Sequence, residues 1–109
     1  MSAGFETVAD EAEVGEGAVH GVHVVGHPVV VCKVRGRLYA CSADCTHEEG
    51  GDLALGTLDG FTLKCPAHGC AFDVRSGRIV SGPAEEPLPT YEVRAEGGHV
   101  LVAHRPRGF

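Results

Sequence analysis

Aromatic residues, positive charge and long apolar runs are all scarce in this 109-residue chain. It has no tryptophan, and aromatic residues make up 6% of it. Its 9 Lys and Arg against 15 Asp and Glu give a net charge of −6, which argues against a nucleic-acid partner because phosphate binding needs clustered cations. No apolar run approaches the length that spans a bilayer, and residues 1–10 lack the features of a secretory signal. The sequence therefore predicts a cytoplasmic protein with no membrane partner.

Glycine, in contrast, is abundant. The 16 glycines and the 43% apolar content are typical of a small β protein with many turns. Short apolar segments at residues 19–25, 29–34 and 38–41 predict a β-meander, residues 61–64 a short strand leading into Cys65, and residues 91–103 a last hairpin. Residues 2–17 are acidic and weakly patterned, which favours a solvated loop. The chain has the length of one domain, which buries roughly two-thirds of its unfolded surface.

Two short motifs carry the chemistry: Cys-Thr-His at residues 45–47 and Cys-Pro-Ala-His at residues 65–68. Each supplies one thiolate and one imidazole, so two facing loops would present the side chains of Cys45, His47, Cys65 and His68 to a metal centre. An odd number of cysteines, five in all, favours thiols or metal ligands over disulfides. The same four donors also suit tetrahedral zinc. Zinc sites, however, normally take paired cysteines from one element and paired histidines from another.

With the Gly-Pro pair at residues 82–83, these motifs resemble Rieske-type 2Fe-2S ferredoxins. The resemblance implies an all-β, Rieske-type antiparallel β-sandwich in a single domain, residues 1–109. In it, a small cluster-binding subdomain (about residues 41–83) is inserted in a basal β domain (about 1–40 and 84–109). It also implies one 2Fe-2S cluster, with Cys45 and Cys65 on one iron and His47 and His68 on the other.

The function implied by this resemblance is that of a soluble one-electron carrier with no catalytic residues of its own. Such ferredoxins are monomeric components of ring-hydroxylating oxygenase systems, and they pass electrons from an NAD(P)H-dependent flavin reductase to a terminal oxygenase. The alternative is a small Rieske-like subunit of a larger redox enzyme, such as an NAD(P)H nitrite reductase. The sequence leaves both open.

The other cysteines have less specific interpretations. Cys32 and Cys41 lie in apolar segments and are expected to be small buried hydrophobic residues. Cys70 and Phe72 stand where respiratory-chain Rieske proteins carry a serine and a tyrosine whose hydroxyls bond cluster sulfurs. Their replacement predicts a potential at the low end of the Rieske range, on the order of −150 mV. His23 alternates with valines, which favours exposure over metal ligation.

Overall fold

Antiparallel strands make up most of the fold. The computed structural model describes residues 4–45, 52–66, 69–82 and 86–107. Its strands are β1 (Phe5–Asp10), β2 (Val19–Val24), β3 (His27–Val34), β4 (Arg37–Ser42), β5 (Thr57–Asp59), β6 (Thr62–Lys64), β7 (Ala71–Asp73), β8 (Ile79–Ser81), β9 (Thr90–Tyr91), β10 (Val93–Glu96) and β11 (His99–Ala103). Two single-turn 3₁₀ segments, Glu11–Glu13 and Leu53–Leu55, complete the regular structure. The described residues contain no helix that is long and apolar enough to cross a membrane.

The strands form three sheets, with the orders β1-β11-β10, β2-β3-β4-β9 and β5-β6-β7-β8. We call the second the basal sheet. The third is the cysteine sheet, because Cys65 and Cys70 lie at its margin. Strands β4 and β9 pair with each other, although the whole cysteine sheet lies between them in the sequence. The predicted all-β antiparallel fold is confirmed.

Strand β3 shows how the layers are stacked, because successive side chains of a strand point to opposite faces. Val29 and Val31 join the apolar cluster that the basal sheet shares with β11, whereas Val30 and Cys32 join the cluster shared with the cysteine sheet. All four are fully buried, and each such valine stabilises the fold by about 1.5–3 kcal/mol. A strand covered on both faces needs no polar alternation, which explains the continuous apolar run at residues 29–32.

Two tight turns flank β3, and each places a residue other than glycine in the left-handed region. Val25 has a φ of 50° and Arg35 a φ of 54°, and each is followed by a glycine with positive φ. This is the pattern of a type I′ hairpin turn. The carboxylate of Glu6 accepts the N–H of Val25 at 3.1 Å, and that of Glu16 accepts the N–H of Arg35 at 2.6 Å. The two turns are therefore built alike.

The prediction of a solvated loop over residues 2–17 is wrong for its first half. Residues Phe5–Asp10 form β1 and pair with β11, from Phe5 opposite Ala103 to Asp10 opposite His99. The register shifts between Thr7 and Ala9. Such a bulge interrupts the two-residue alternation by which a half-buried strand is recognised in a sequence. The pairing depends on a strand almost a hundred residues away.

Candidate metal centre

The segment after β4 brings Cys45 to the edge of the basal sheet. The carbonyl of Ala43 accepts the N–H of Leu53 at 2.8 Å, and Asp44 forms an antiparallel bridge with Asp52. Asp52 also accepts the N–H of Ala54 on its side chain, which fixes the start of the 3₁₀ turn that follows. The chain thus leaves the sheet at Cys45 and is paired again at Asp52. Cys45 begins a loop that is closed at its base.

The second loop begins at Cys65, directly after β6, as the sequence predicts. Lys64 pairs with Ala71 across the β6–β7 hairpin, and the N–H of Cys65 then donates to the carbonyl of Cys70 at 2.7 Å. This hydrogen bond continues the ladder by one step beyond the strands. The second cysteine, like the first, therefore occupies a fixed backbone position at the start of a closed loop.

Two glycines allow other segments to approach this second loop. A Cβ on Gly56, just after the first loop's 3₁₀ turn, would overlap the carbonyl oxygen of Lys64, the residue before Cys65. A Cβ on Gly82 would lie 2.5 Å from the Cα of Cys70, and Gly82 has a φ of +95°. Glycine is required at both positions. The Gly-Pro pair marks Gly82 in the sequence, whereas Gly56 belongs to no comparable motif and was not predicted to be required.

Burial of the two loop cysteines suits thiolate ligation. Cys45 and Cys65 are each 5% exposed and belong to the same apolar cluster. An ionised thiolate in such surroundings needs a positive charge nearby, and a bound metal supplies one. His47 and His68 lie outside the described residues, within which no group of three or more His, Cys, Asp or Glu could hold a metal ion. The structure thus brings the two predicted sulfur donors into one cluster, while both imidazole ligands stay predictions.

The two strand cysteines behave as predicted. Cys32 and Cys41 are both fully buried in the basal sheet. Burial raises the pKa of Cys32 to about 12, and burial together with the neighbouring Cys32 raises the pKa of Cys41 as well. Both stay neutral thiols at physiological pH. Their interpretation as small buried hydrophobic residues is confirmed.

The positions next to the second loop are apolar. Cys70 and Phe72 are fully buried in the cluster that contains Cys45 and Cys65. Neither side chain carries a hydroxyl group, so neither offers the strong donor that the resemblance assigns to these positions in respiratory-chain proteins.

Comparison with known proteins identifies the protein family to which the two cysteine loops belong. The family model of the Rieske [2Fe-2S] domain matches residues 5–92, which include both cysteine loops. The chain belongs to the Rieske [2Fe-2S] domain family. Its Rieske fold is also found in solved structures. A chain of the complex of reduced oxygenase and oxidized ferredoxin in carbazole 1,9a-dioxygenase is 34% identical, with a TM-score of 0.91, and the match covers 99% of this chain and 100% of that one.

Several relatives that this chain matches over most of their length are named as ferredoxins. The ferredoxin component of the naphthalene 1,2-dioxygenase system of Pseudomonas aeruginosa is 37% identical over 90 residues, which are 83% of this chain and 86% of the relative. The biphenyl dioxygenase ferredoxin subunit of Pseudomonas sp. (strain KKS102) is 38% identical over 98 residues, 90% of either chain. The resemblance stated from the motifs is confirmed.

Membership of the Rieske family answers the question that the four donors left open. The cofactor is a Rieske-type 2Fe-2S cluster, and the zinc alternative is set aside. The Rieske ferredoxins that this chain is similar to are carriers of electrons, and the role of this chain is electron transfer without catalysis of its own.

Proposed function

We propose that Cys45, His47, Cys65 and His68 hold the Rieske cluster, and that residues 41–83 form its binding subdomain on a basal β domain of residues 1–40 and 84–109. The observation that carries this assignment is the pair of buried cysteines, each at the start of a loop closed by backbone hydrogen bonds. Both cysteines would bind one iron, and the histidine two or three residues later in each loop would bind the other. The cluster supplies a one-electron redox centre.

The protein chain would hold the cluster ligands in place and shield them from water. Leu53, Leu63 and Phe72 are fully buried in the apolar cluster that contains both cysteines, so water is excluded on the inner side of the sulfur donors. With two thiolates and two neutral imidazoles, the oxidised centre carries no net charge, which makes it easier to reduce than a four-thiolate centre. Backbone closure of both loops is expected to limit movement of the two sulfur atoms when the cluster is reduced.

As partners we propose an NAD(P)H-dependent flavin reductase as donor and the terminal oxygenase of an aromatic-ring dioxygenase system as acceptor. Relatives named as ferredoxin components of such systems, similar to this chain over most of their length, support this choice over a small subunit of a larger redox enzyme. We further propose a monomeric carrier in the cytoplasm, since an odd number of cysteines favours a reducing compartment.

Ligand replacement tests the assignment directly. Purified protein is expected to contain two irons and two acid-labile sulfides and to give a Rieske-type EPR signal after reduction with dithionite. Cys45→Ser and Cys65→Ser should each abolish the signal and the bound iron. Cys32→Ala and Cys41→Ala, matched controls in the same apolar cluster, should keep both. Retention of the iron and the EPR signal in either loop variant would contradict the ligand set.

The partner proposal needs a separate assay. Catalytic amounts of the protein, mixed with a flavin reductase, NADH and the terminal oxygenase of an aromatic-ring dioxygenase, should restore substrate oxidation that the two enzymes lack without a carrier. If the loaded protein is never reduced by such reductases, the proposed donor is wrong, whatever the outcome for the ligands.

A further inference from the structure

Side chains from two sheets meet around the ring of Phe61. The guanidinium carbon of Arg75 lies 4.0 Å from the ring centroid, and that of Arg35 lies 5.3 Å from it. The ring of Tyr39 meets Phe61 edge-on, with the centroids 5.9 Å apart and an interplanar angle of 87°. Phe61 and Arg75 belong to the cysteine sheet and its turns, whereas Arg35 and Tyr39 come from the β3–β4 hairpin. These contacts therefore join the two sheets at one ring.

Arg75 is fixed on the cysteine sheet by Asp73. The carboxylate of Asp73 accepts the Nε and Nη2 protons of Arg75 at 3.0 and 2.8 Å, and also its backbone N–H at 2.9 Å. Asp73 ends β7 and is 7% exposed. A bidentate pair with a buried carboxylate holds a guanidinium in one plane. The plane that covers Phe61 thus moves together with the β6–β7 hairpin, whose other end is the second cysteine loop.

Arg35 occupies a position that favours asparagine or glycine. Its φ of 54° is strained for a long side chain, yet a carboxylate of Glu16 holds this conformation through the N–H of Arg35. Val25 occupies the same position in the preceding turn, with a φ of 50° and the same kind of support from Glu6. Both residues are exposed, Val25 by 60%, but only Arg35 places its side chain over an aromatic ring, that of Phe61. Val25 is therefore an internal control for the effects of the turn conformation at Arg35.

Strand β6 connects Phe61 to Cys65, so a movement of the hairpin at Phe61 would also displace Cys65. Phe61 immediately precedes β6 and Cys65 immediately follows it. Four residues of extended chain span about 13 Å, so a tilt of about 5° at Phe61 would displace Cys65 by about 1 Å. Metal–ligand distances tolerate about 0.2 Å. A tilt of this size at Phe61 would therefore move Cys65 by several times that tolerance.

We propose that Arg35, Phe61 and Arg75 form a joint that sets the tilt of the β6–β7 hairpin on the basal sheet, and that they are positioning residues for Cys65. The proposal rests on the proposed role of Cys65 as a ligand. The two arginines would thus fix the orientation of the hairpin from the end that is remote from the second cysteine loop.

The test compares Arg35→Asn with Val25→Asn in the loaded protein. Both variants relieve the strain of a type I′ turn, but Arg35→Asn also removes a guanidinium from Phe61. The loss of visible absorbance in excess chelator, below the unfolding temperature, should be about two- to fivefold faster for Arg35→Asn than for the parent protein. Val25→Asn should match the parent. Arg35→Lys, which keeps the charge over the ring, should recover part of the difference.

Two further readouts separate positioning from general stability. The EPR signal of reduced Arg35→Asn should broaden, and the peptide that contains Cys65 should exchange its backbone hydrogens faster, while the denaturant midpoint stays close to that of Val25→Asn. Equal rates of cluster loss and equal EPR spectra in the two asparagine variants would refute the positioning role of Arg35. A parent protein that binds no cluster would instead overturn the proposed function, so the two failures are distinguishable.

Discussion

Replacing Gly82 with alanine tests how closely the segment after β8 must approach the second cysteine loop. The added Cβ would lie 2.5 Å from the Cα of Cys70, 2.8 Å from the carbonyl oxygen of Gly69 and 2.9 Å from the N of Cys70. All three are backbone atoms, which cannot move aside as a flexible side chain can. The φ of +95° adds about 1–2 kcal/mol of conformational strain, and overpacking adds about 1–3 kcal/mol. We therefore expect a loss of about 2–5 kcal/mol.

Gly98→Ala is the matched control. Gly98 also has a positive φ, +82°, but a Cβ there would have no neighbour within 4 Å. It should therefore cost the strain alone, about 1–2 kcal/mol. Denaturant unfolding of the loaded protein gives both free energies, and chelator-driven bleaching shows whether Gly82→Ala also opens the loop. Equal losses of stability, with equal bleaching rates, would refute the close packing of Gly82 on the cysteine loop.

Three other measurements address separate parts of the structure. The hydrogen bonds from Arg75 lower the pKa of Asp73 below 3.8, the ordinary pKa of an aspartate. The charged carboxylate therefore stabilises the folded protein fully above pH 3.8, and this stabilisation is lost as the pH falls through the lowered pKa. Asp73→Asn should thus lower the denaturant midpoint at pH 7, and the difference from the parent should shrink towards pH 2. Cys70→Ser should raise the midpoint potential in an EPR-monitored redox titration if the hydroxyl reaches a cluster sulfur, and an unchanged value would place this side chain elsewhere. Removal of the iron should increase hydrogen exchange in the cysteine sheet more than in β2 to β4, and uniform exchange across the chain would contradict a sheet that depends on its cofactor.

The sequence was sufficient for the fold class because local signals and tertiary structure agree along the basal sheet. The apolar run of β3 and the Arg-Gly pair after it predict a hairpin, and the structure contains that hairpin. The same agreement holds at the β10–β11 hairpin with its paired glycines. In these places each strand pairs with its neighbour in the chain, so the pattern needs no distant partner to be recognised.

Features that depend on distant backbone could not be predicted in this way. Strand β1 is stabilised by β11, and its bulge removes the alternation that would mark it as a strand. Gly56 is required because the carbonyl of Lys64 lies where its side chain would be, which no local pattern reveals. Phe61 is a similar case. The sequence places it at the start of a strand, but its contacts with Arg35 and Arg75 arise from the packing of two sheets.

The dimensions of the cysteine sheet explain why so many contacts converge on it. Each of its four strands is three residues long, and an isolated hairpin of that size is at best marginally stable in water. Contacts with the rest of the protein must therefore hold this sheet in position. It shares an apolar cluster with the basal sheet. Gly56 and Gly82 pack closely beside the second loop, and Phe61 makes its contacts at the opposite end of the sheet. A small sheet held at both ends keeps its loop in place without long strands of its own. Within this loop Pro66 and Gly69 are exposed while Cys65 is buried, as expected for the proposed cluster of an electron carrier.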